Sequence, residues 1–438
     1  MSTKPTLEDI VSLCKRRGFV FPSAELYGGI NGVYDFGHLG VLIKNNLRRA
    51  WKKSISSVDT HMLFLEGALL GPEAVWKASG HIDNFHDPMI DCTNCKKRFR
   101  ADDPDIDIQK GCPHCGKKAW TEIRQFNMMF QTNLGATVDH ASVAYLRPET
   151  AQSIFINFKN IMSSYRVKIP FGVAQIGKAF RNEITPKQFL FRMREFEQME
   201  MEWFCTPESS YDHFTYWCKK RLDFYAAIGI NTDKIRLRPH EKTELSHYSS
   251  QTSDVEYEYP FGWKELEGIA HRGDFDLSQH SKHSGKDLSI FDEATQQSYI
   301  PHVVETSVGA DRLFLTVLFD AYTIDTLGGE ERLVLKLHPT IAPIKAAFLP
   351  LVKKLTDPMK QIYINIREHG YMVEFDDSGS IGKRYRRQDE IGTPLCFTYD
   401  FDSENDGCVT VRNRDTLKQE RISIDAVEKY LADTLQKK

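Results

Sequence analysis

The chain has 438 residues, of which 41% are hydrophobic and 27% charged, a composition typical of soluble globular proteins, and its length suggests about three domains. No apolar run approaches the roughly 20 residues of a membrane span, and the first residues resemble neither a signal peptide nor a transit peptide, so we expect a cytoplasmic protein. A formal net charge of −3 neither indicates nor excludes nucleic-acid binding, because phosphate contacts need only a local basic surface.

The N-terminal region predicts two helices separated by glycine-rich turns. Residues 6–18 carry apolar residues at helical spacing and stop at Gly18, a residue suited to a helix C-terminus. Five glycines between positions 28 and 40 predict tight turns, and a helix follows from about Gly40 to Ser54. Its basic residues fall outside the apolar stripe, so they indicate either a solvated surface or a function: Lys44, Arg48, Lys52 and Lys53.

Four of the nine cysteines form two Cys-x-x-Cys pairs, Cys92 with Cys95 and Cys112 with Cys115, separated by sixteen residues. This spacing is typical of a zinc ribbon, in which four thiolates surround the metal and leave no open position. Disulfides are the alternative, but a reducing compartment disfavours them. We therefore predict a structural zinc site without a catalytic role, in a unit that spans residues 88–118.

A helix is predicted after the segment 145–152. Pro148 restricts the preceding residue to an extended backbone, and Glu149 or Thr150 then begins a helix over residues 150–162. A carboxylate at a helix start is usually only a favourable partner of the helix dipole.

Residues 172–204 predict a β-hairpin, with strand 172–183, a connecting loop that contains Pro186, and a second strand. Successive side chains of a strand point to opposite faces. One face would carry two guanidinium groups, an aromatic ring, an amide and two carboxylates, whereas the other becomes apolar towards its end. The first face suits a ligand with phosphates, a base and an amine, although solvated charges on an ordinary strand are the alternative. Its residues are Arg192, Arg194, Phe196, Gln198, Glu200 and Glu202, and those of the apolar face are Met199, Met201 and Trp203.

The segments that follow the hairpin predict helices, a strand and a loop that would form a scaffold around it. Residues 206–247 read as helices with connecting segments, and residues 263–270 alternate like a strand, with Glu265 and Leu266 on opposite faces. The histidine-rich stretch 271–288 lacks a coherent ligand spacing, and we expect it to be a solvated loop.

Residues 301–322 predict a short strand, a turn from Ser307 to Gly309 and a helix that begins near Ala310. Arg312 would stand in the first turn of that helix, where free amide groups suit anions. By itself such an arginine could equally be a capping or surface residue.

From Leu333 onwards, alternating strand and helix patterns predict a parallel or mixed sheet with helices packed on it. Its strongest basic cluster follows a tight turn and indicates either a solvated helix face or phosphate contacts: Lys383, Arg384, Arg386 and Arg387.

These motifs together resemble a known family. Arg181-Asn-Glu followed by Arg192-x-x-x-Phe196 resembles motif 2 of the class II aminoacyl-tRNA synthetases, and FRMREFEQMEME resembles the version found in glycyl-tRNA synthetases. Residues 28–55 resemble motif 1, except that His38 stands where the family commonly has proline, and residues 301–322 resemble motif 3. The C-terminal region resembles the anticodon-binding domain of several class II enzymes. The resemblance extends from about residue 6 to residue 435.

The resemblance implies a two-domain architecture. Residues 1–330 would form an α+β catalytic core, an antiparallel sheet flanked by helices, with the zinc-ribbon insertion at 88–118 and a helical insertion at about 206–247. Residues 331–438 would form an α/β anticodon-binding domain. The family further implies glycine–tRNA ligase activity, ATP and magnesium, a homodimer built through motif 1, tRNA(Gly) as partner, and no membrane.

Residue roles also follow from the resemblance. Arg181 would hold the α-phosphate of ATP and Arg192 and Arg312 the outer phosphates, which makes these three the catalytic residues. Arg100, or else Arg98 on the same strand face, would reach the amino-acid pocket. The ATP-binding set is Arg181, Asn182, Glu183, Phe191, Arg192, Met193, Arg194, Glu195, Phe196, Glu265, Leu266, Gly309, Ala310, Asp311 and Arg312. The glycine-binding set is Arg100, Glu149, Phe196, Glu197, Gln198, Met199, Glu200, Glu305, Thr306, Ser307, Val308 and Gly309.

Two other functions are open to a chain with this pattern. A non-catalytic homologue that binds nucleic acid would be expected to lose the motif arginines, which are present here. A class II ligase for another amino acid would not need the acidic set around EFEQMEME.

Overall fold

The computed structural model describes residues 4–57, 61–103, 105–136, 142–246, 248–293, 295–326 and 329–436. The helices are α1 (Leu7–Arg17), α2 (His38–Ser56), α3 (Glu73–Ala78), α4 (His81–Asn84), α5 (Ala151–Ile156), α6 (Phe158–Tyr165), α7 (Ser210–Ala227), α8 (Phe275–Ser284), α9 (Ala310–Ala321), α10 (Thr356–Glu368), α11 (Ile381–Ile391), α12 (Ser403–Asp406) and α13 (Val427–Gln436). Within these described ranges, none of the helices combines the length and apolar character that crossing a membrane requires.

The strands are β1 (Val20–Pro22), β2 (Tyr34–Phe36), β3 (Met62–Phe64), β4 (Leu70–Pro72), β5 (His86–Asp91), β6 (Arg98–Arg100), β7 (Arg124–Asn127), β8 (Phe130–Asn133), β9 (Val143–Leu146), β10 (Phe171–Phe180), β11 (Glu195–Cys205), β12 (Ile235–Pro239), β13 (Gln251–Tyr259), β14 (Gly262–Gly273), β15 (Ile290–Asp292), β16 (Gln297–Tyr299), β17 (His302–Gly309), β18 (Tyr322–Asp325), β19 (Arg332–Leu335), β20 (Ala346–Pro350), β21 (Val373–Phe375), β22 (Leu395–Tyr399), β23 (Cys408–Asn413) and β24 (Gln419–Ser423).

A seven-stranded sheet organises the first three-quarters of the chain, in the order β12-β13-β14-β17-β11-β10-β3. Its pairs are antiparallel except for β3, which runs parallel to β10. Helices α2 and α9 contribute Trp51, Leu313 and Phe314 to a core shared with Met199 and Met201 of β11. The predicted apolar face of the second hairpin strand is therefore confirmed, and its polar face is left free to form a site.

The boundaries of the hairpin differ from the prediction. Strand β11 begins at Glu195, so Arg192 and Arg194 lie in the connecting loop and not on the alternating strand. Likewise Ser307 to Gly309 do not form a turn, because β17 continues through Gly309 directly into α9. The predicted helix at 150–162 is divided at Asn157 into α5 and α6.

Two predictions beyond the hairpin are wrong. Of residues 206–246, which the structure describes, only α7 and one turn at Thr232–Lys234 are helical, because residues 235–239 form β12, the edge strand of the seven-stranded sheet. The histidine-rich stretch expected to be a solvated loop contains α8, which buries Leu277 and His280. Arg272 just before this helix is also buried.

The cysteine-rich unit is a three-stranded sheet in the order β6-β5-β7. Because β5 starts at residue 86 and β7 ends at residue 127, the unit is larger than the predicted 88–118.

The C-terminal part is a five-stranded mixed sheet in the order β21-β20-β22-β23-β24, with parallel pairs around β20 and antiparallel pairs beyond β22. Residues of α10 and α13, such as Met359 and Leu431, build a separate core on it with Phe348 and Phe397. The predicted mixed sheet with packed helices is confirmed. A short hairpin of β18 and β19 precedes this part.

Candidate active site

A cleft of about 620 Å³ is lined by residues from β11, β14 and β17, from the loop between β10 and β11, and from the segments before α5 and α9. One part of the lining carries guanidinium groups and aromatic rings, and another carries buried carboxylates. The cleft brings together fifteen of the residues in the two binding sets: Glu149, Arg181, Glu183, Phe191, Arg192, Met193, Phe196, Gln198, Glu200, Glu265, Glu305, Ser307, Gly309, Asp311 and Arg312.

Two of the three arginines come from the two sides of the hairpin loop. Arg181 donates from Nε to the carbonyl oxygen of Pro148 at 3.1 Å, and its guanidinium lies 5.3 Å from the ring centroid of Phe196. Arg192 approaches Glu183, with 4.0 Å between Nε and Oε2. Both guanidinium groups keep most of their hydrogen-bond donors available to a ligand.

Arg312 joins them from the first turn of α9. Its guanidinium stacks 4.4 Å from the ring centroid of Phe191, and Nη1 donates to the backbone oxygen of Glu265 at 3.0 Å. The carboxylate of Glu265 lies 3.2 Å away. Three cationic groups from separated segments therefore line one cleft.

The acids beside these arginines do not neutralise them fully. Burial raises the pKa of both Glu183 and Asp87, and the attraction of neighbouring arginines offsets only part of that effect. The cationic part of the cleft is consequently suited to a polyanion.

Glu200 is the most fully hydrogen-bonded carboxylate of the acidic part. Its Oε1 accepts from Ser307 Oγ at 2.7 Å and from Gln198 Nε2 at 2.9 Å, and its Oε2 accepts from the amide and hydroxyl groups of Thr150. These bonds arise because β11 and β17 pair with Glu200 directly opposite Ser307.

Two further carboxylates face the same space. Glu149 lies 3.3 Å from His81 Nε2 and accepts from Gln152 Nε2 at 2.9 Å. Glu305 accepts from Arg272 Nη1 at 2.6 Å. The sequence did not indicate Arg272 as part of this site.

The three acids share too little positive charge to ionise independently. Burial and the charge of Glu149 raise the pKa of Glu200, and burial together with neighbouring acids raises the pKa of Glu305 to about 8 despite the attraction of Arg272. Burial also opposes ionisation of Glu149, but His81 and Arg272 hold its pKa below the usual range. Such a crowded set of carboxylates favours a bound cation.

Several residues of the predicted sets do not line the cleft with their side chains. Met199, Val308, Leu266 and Ala310 belong to the main hydrophobic core, and Thr306 is fully buried, so only their backbones could contact a ligand. Leu266 is the extra residue of a β-bulge, since Glu265 and Glu267 pair with consecutive residues of β13. The strict alternation predicted for residues 263–270 fails at this point.

Glu197 lies outside the cleft, where it ties the hairpin to α2. Its carboxylate accepts from Arg48 Nε at 2.6 Å and lies 3.1 Å from Lys44 Nζ. Lys44 also pairs with Asp311, which accepts from the amide of Glu197 at 2.7 Å. Lys44 is only 4% exposed, so a solvated basic face does not describe it.

Arg194, Asn182 and Glu195 shape the loop beside the cleft. Arg194 donates to the backbone oxygens of Glu183 at 3.1 Å and Asn31 at 2.9 Å. The amide of Asn182 donates to Met128 O at 2.7 Å, and Glu195 pairs with Lys178 at 2.9 Å.

Arg100 does not line the cleft, because Asp87 and Asp102 hold its guanidinium at 2.9 and 2.7 Å. Arg98 is more remote, with an exposed side chain beside Asp91. Of the two arginines considered, Arg100 is the one beside the acids that adjoin Arg181 and Arg192.

Sequence reasoning missed several lining residues, most of them from two places. Helix α4 and the residue after it supply His81, Asn84 and Phe85, and the β12–β13 region supplies His240 and Tyr248. No spacing marks these residues, because they reach the cleft only through the tertiary fold.

The four cysteines of the ribbon pattern come together. Their sulfur atoms all lie within 4.8 Å of one another, with 3.6 Å between Cys92 and Cys115 and 3.7 Å between Cys95 and Cys112. Tetrahedral zinc with Zn–S bonds of about 2.3 Å separates its sulfurs by about 3.8 Å. The donor set and the spacing therefore fit zinc, and the sulfurs are too far apart for disulfide bonds.

The basic cluster of the C-terminal part lies on α11 and is mostly engaged in structure. Arg384 is buried and donates to backbone oxygens, including Asp377 O at 2.9 Å, while Arg387 pairs with Asp376. Arg386 pairs with Glu330 at 2.9 Å. Phosphate contact is thus disfavoured for Arg384, and Lys383 has no ion pair within the described ranges.

Known proteins are similar to this chain at two levels. Residues 345–434 match a family described as "Anticodon binding domain". Proteins named glycine–tRNA ligase from Caldanaerobacter subterraneus subsp. tengcongensis and Geobacillus thermodenitrificans are each 50% identical to it. The first alignment covers 99% of this chain and 100% of the relative, and the second covers 97% of each. A glycine–tRNA ligase from Clostridium acetobutylicum is 48% identical over 99% of this chain and all of the relative.

A cleft with a cationic and an acidic part, an anticodon-binding domain and these relatives define an aminoacyl-tRNA synthetase. Because relatives that are about half identical match along nearly the whole chain, it belongs to the glycine–tRNA ligase family.

Proposed function

We propose that this chain activates glycine with ATP to form glycyl-adenylate and then transfers the glycyl group to the 3′ end of tRNA(Gly). The observation that carries the proposal is the cleft in which three arginines and a group of buried carboxylates meet. The arginines suit the triphosphate, and the carboxylates suit the ammonium group of the amino acid.

In the first step, a carboxylate oxygen of glycine attacks the α-phosphorus of ATP. A new phosphorus–oxygen bond forms while the bond to the bridging oxygen breaks, and pyrophosphate leaves with the electron pair. The protein contributes mainly position and charge neutralisation. Arg181 would neutralise the charge that develops on the α-phosphate, Arg192 and Arg312 would hold the outer phosphates, and Phe196 would stack on adenine.

Glycine has no side chain to bind, so selectivity must come from the space left at its α-carbon. Attraction to one methylene gives only about 1–3 kcal/mol, whereas a tight site can exclude an added methyl group by overpacking. Hydrogen-bond acceptors around the ammonium group would hold glycine in place, so that the surrounding side chains leave no space for a methyl group at its α-carbon. These acceptors are Glu149, Gln198, Glu200, Glu305 and Ser307.

In the second step, a hydroxyl group of the terminal ribose of tRNA attacks the activated carbonyl carbon. The ester bond forms, the bond between that carbon and the phosphate oxygen breaks, and AMP leaves with the electron pair while the hydroxyl proton passes to solvent. The C-terminal domain, which matches the anticodon-binding family, would bind the far end of the tRNA.

Two metals fit this proposal. Cys92, Cys95, Cys112 and Cys115 would hold a structural zinc ion, which supplies rigidity to the ribbon and no chemistry. Magnesium usually binds substrate phosphates with one or two carboxylates, and Glu265 beside Arg312 is a carboxylate that could join it.

A homodimer is supported by apolar residues that the single chain leaves uncovered. Leu26 and Tyr27 are each 88% exposed and Ile30 is 57% exposed, next to the segment that resembles motif 1. Exposed apolar patches of this kind commonly mark protein interfaces.

The test is charging of tRNA(Gly) transcript with radiolabelled glycine in the presence of ATP. We expect charging that requires ATP and is lost when tRNA(Gly) is replaced by a tRNA for another amino acid. A chain that binds tRNA(Gly) but charges it with no amino acid would instead be a non-catalytic homologue.

A further inference from the structure

A buried hydrogen-bonded chain of side chains lies behind the acidic part of the cleft and connects two of its carboxylates. It consists of Gln152 on α5, Arg272 at the end of β14 and Asp276 on α8, none of which lines the cleft. All three are at most 2% exposed. We call these three residues the relay.

At one end, the relay holds Glu305. Arg272 donates from Nη1 to Glu305 Oε2 at 2.6 Å, and from Nε and Nη2 to the two oxygens of Asp276 at 2.7 and 2.8 Å. The guanidinium also stacks 3.8 Å from the ring centroid of Tyr248. The bidentate contact between Arg272 and Asp276 fixes the orientation of the guanidinium as well as pairing its charge.

At the other end, the relay holds Glu149. The amide nitrogen of Gln152 donates both to Glu149 Oε1 and to Asp276 Oδ1, each at 2.9 Å. The amide oxygen of Gln152 interacts with His280 Nε2 at 2.7 Å, and burial lowers the pKa of His280. A neutral imidazole that donates from Nε2 fixes the orientation of this amide, so its nitrogen faces the two acids.

We propose that Gln152, Arg272 and Asp276 are positioning residues for glycine. Because the relay is continuous from Glu305 to Glu149, it sets the separation of two carboxylates that come from different elements and face the same ammonium group. This inference rests on the proposed glycine activation, and it assigns a role in glycine recognition to residues that never touch glycine.

The relay also supplies the hydrogen-bond donors that allow Glu149, Asp276 and Glu305 to be buried close together. Asp276 shares Arg272 with Glu305, so one guanidinium serves two carboxylates, and the donors of Gln152 serve Glu149. Loss of any link leaves a buried acceptor without its partner, which is costly and allows the carboxylate to turn.

The experiment compares the relay with a second buried ion pair, which joins α7 to β14. Arg221 on α7 donates to Glu267 at 2.7 Å, and both side chains are nearly inaccessible to solvent. Neither residue lines the cleft. Arg221→Met therefore reports the cost of breaking a buried polar contact without touching the relay.

The relay variants are Gln152→Met, which keeps volume but removes both donors, and Asp276→Asn, which turns one acceptor into a donor. We expect the glycine dissociation constant by calorimetry and the glycine KM in ATP–pyrophosphate exchange to rise about 10- to 100-fold in both. The KM for ATP should stay unchanged. Arg221→Met should lower the melting temperature and leave the glycine KM as in the wild type.

Three results would overturn the assignment. Relay variants that keep the wild-type glycine KM while losing stability would show a purely structural role, and so would equal losses of glycine and ATP affinity. A wild-type enzyme that exchanges pyrophosphate with no amino acid would instead overturn the proposed function, and the relay assignment with it.

Discussion

At the scale of single residues, Arg181 is the side chain on which the proposed first step would depend most. Among the described residues its side chain forms one hydrogen bond, from Nε to Pro148 O, so the remaining donors of the guanidinium can reach a phosphate. Stacking near Phe196 places that charge beside the expected position of adenine.

Removal of this charge gives the first prediction. Arg181→Ala should lower kcat of ATP–pyrophosphate exchange by about 10²- to 10³-fold, as is typical when one preorganised donor to a transition state is lost. Arg98→Ala removes an exposed guanidinium outside the cleft and serves as the control. Near-normal exchange by Arg181→Ala would refute the assignment.

The pH dependence of glycine use tests the acidic part of the cleft. The pKa of Glu305 is raised to about 8 and that of Glu200 is also raised, so below about pH 8 Glu305 of the free enzyme holds a proton that the ammonium group of glycine must displace. The glycine KM should therefore fall as the pH rises through 8, while the KM for ATP changes less. If the KM for glycine and the KM for ATP changed with pH to the same extent across pH 8, the prediction would be wrong.

At the scale of elements, the cysteine-rich unit joins the hairpin through its last strand. Strand β7 leads into Met128, whose carbonyl accepts from the amide of Asn182 at 2.7 Å, and Asp87 of β5 adjoins the arginines of the cleft. The ribbon can therefore affect the site through position alone.

Metal analysis tests the ribbon. The purified protein should contain about one zinc per chain, because four thiolates close a tetrahedral site. Cys115→Ser should lose the metal and lower the melting temperature, whereas Cys408→Ser, outside the cluster, should keep both. Full activity of a preparation with no bound metal would show that the ribbon does not need zinc.

Elements with a local pattern were predictable, and those that depend on distant partners were not. The apolar side of β11 and the first-turn position of Arg312 follow from the spacing of apolar residues alone. The bulge at Leu266 depends on pairing with β13, and α8 is buried because α3 and α5 lie against it. The polar sequence of the stretch that contains α8 therefore wrongly indicated a solvated loop.

In the candidate site, too, some residues were predictable from local motifs and others were not. Its arginines and carboxylates follow from motifs, but His81 and Arg272 reach it only through contacts with Glu149 and Glu305, which are distant in the chain. Lys44 was ambiguous for the same reason, since its partner Asp311 lies far along the sequence.

At the scale of the whole molecule, dimerisation is testable at the exposed apolar turn. Tyr27→Lys should convert the dimer to monomers in light scattering coupled to gel filtration, because a lysine charge would be buried unpaired at the interface. Phe401→Lys, on an exposed residue of the C-terminal part, should leave the dimer intact. A wild-type protein that is monomeric at every concentration would refute the dimer.

The central claim is that one cleft joins a triphosphate site to a pocket sized for the smallest amino acid. ATP–pyrophosphate exchange with each of the twenty amino acids, without tRNA, measures this most directly. We expect strong exchange with glycine and little with alanine or serine, whose side chains would overpack the pocket. Exchange that is absent with glycine, or stronger with another amino acid, would contradict it.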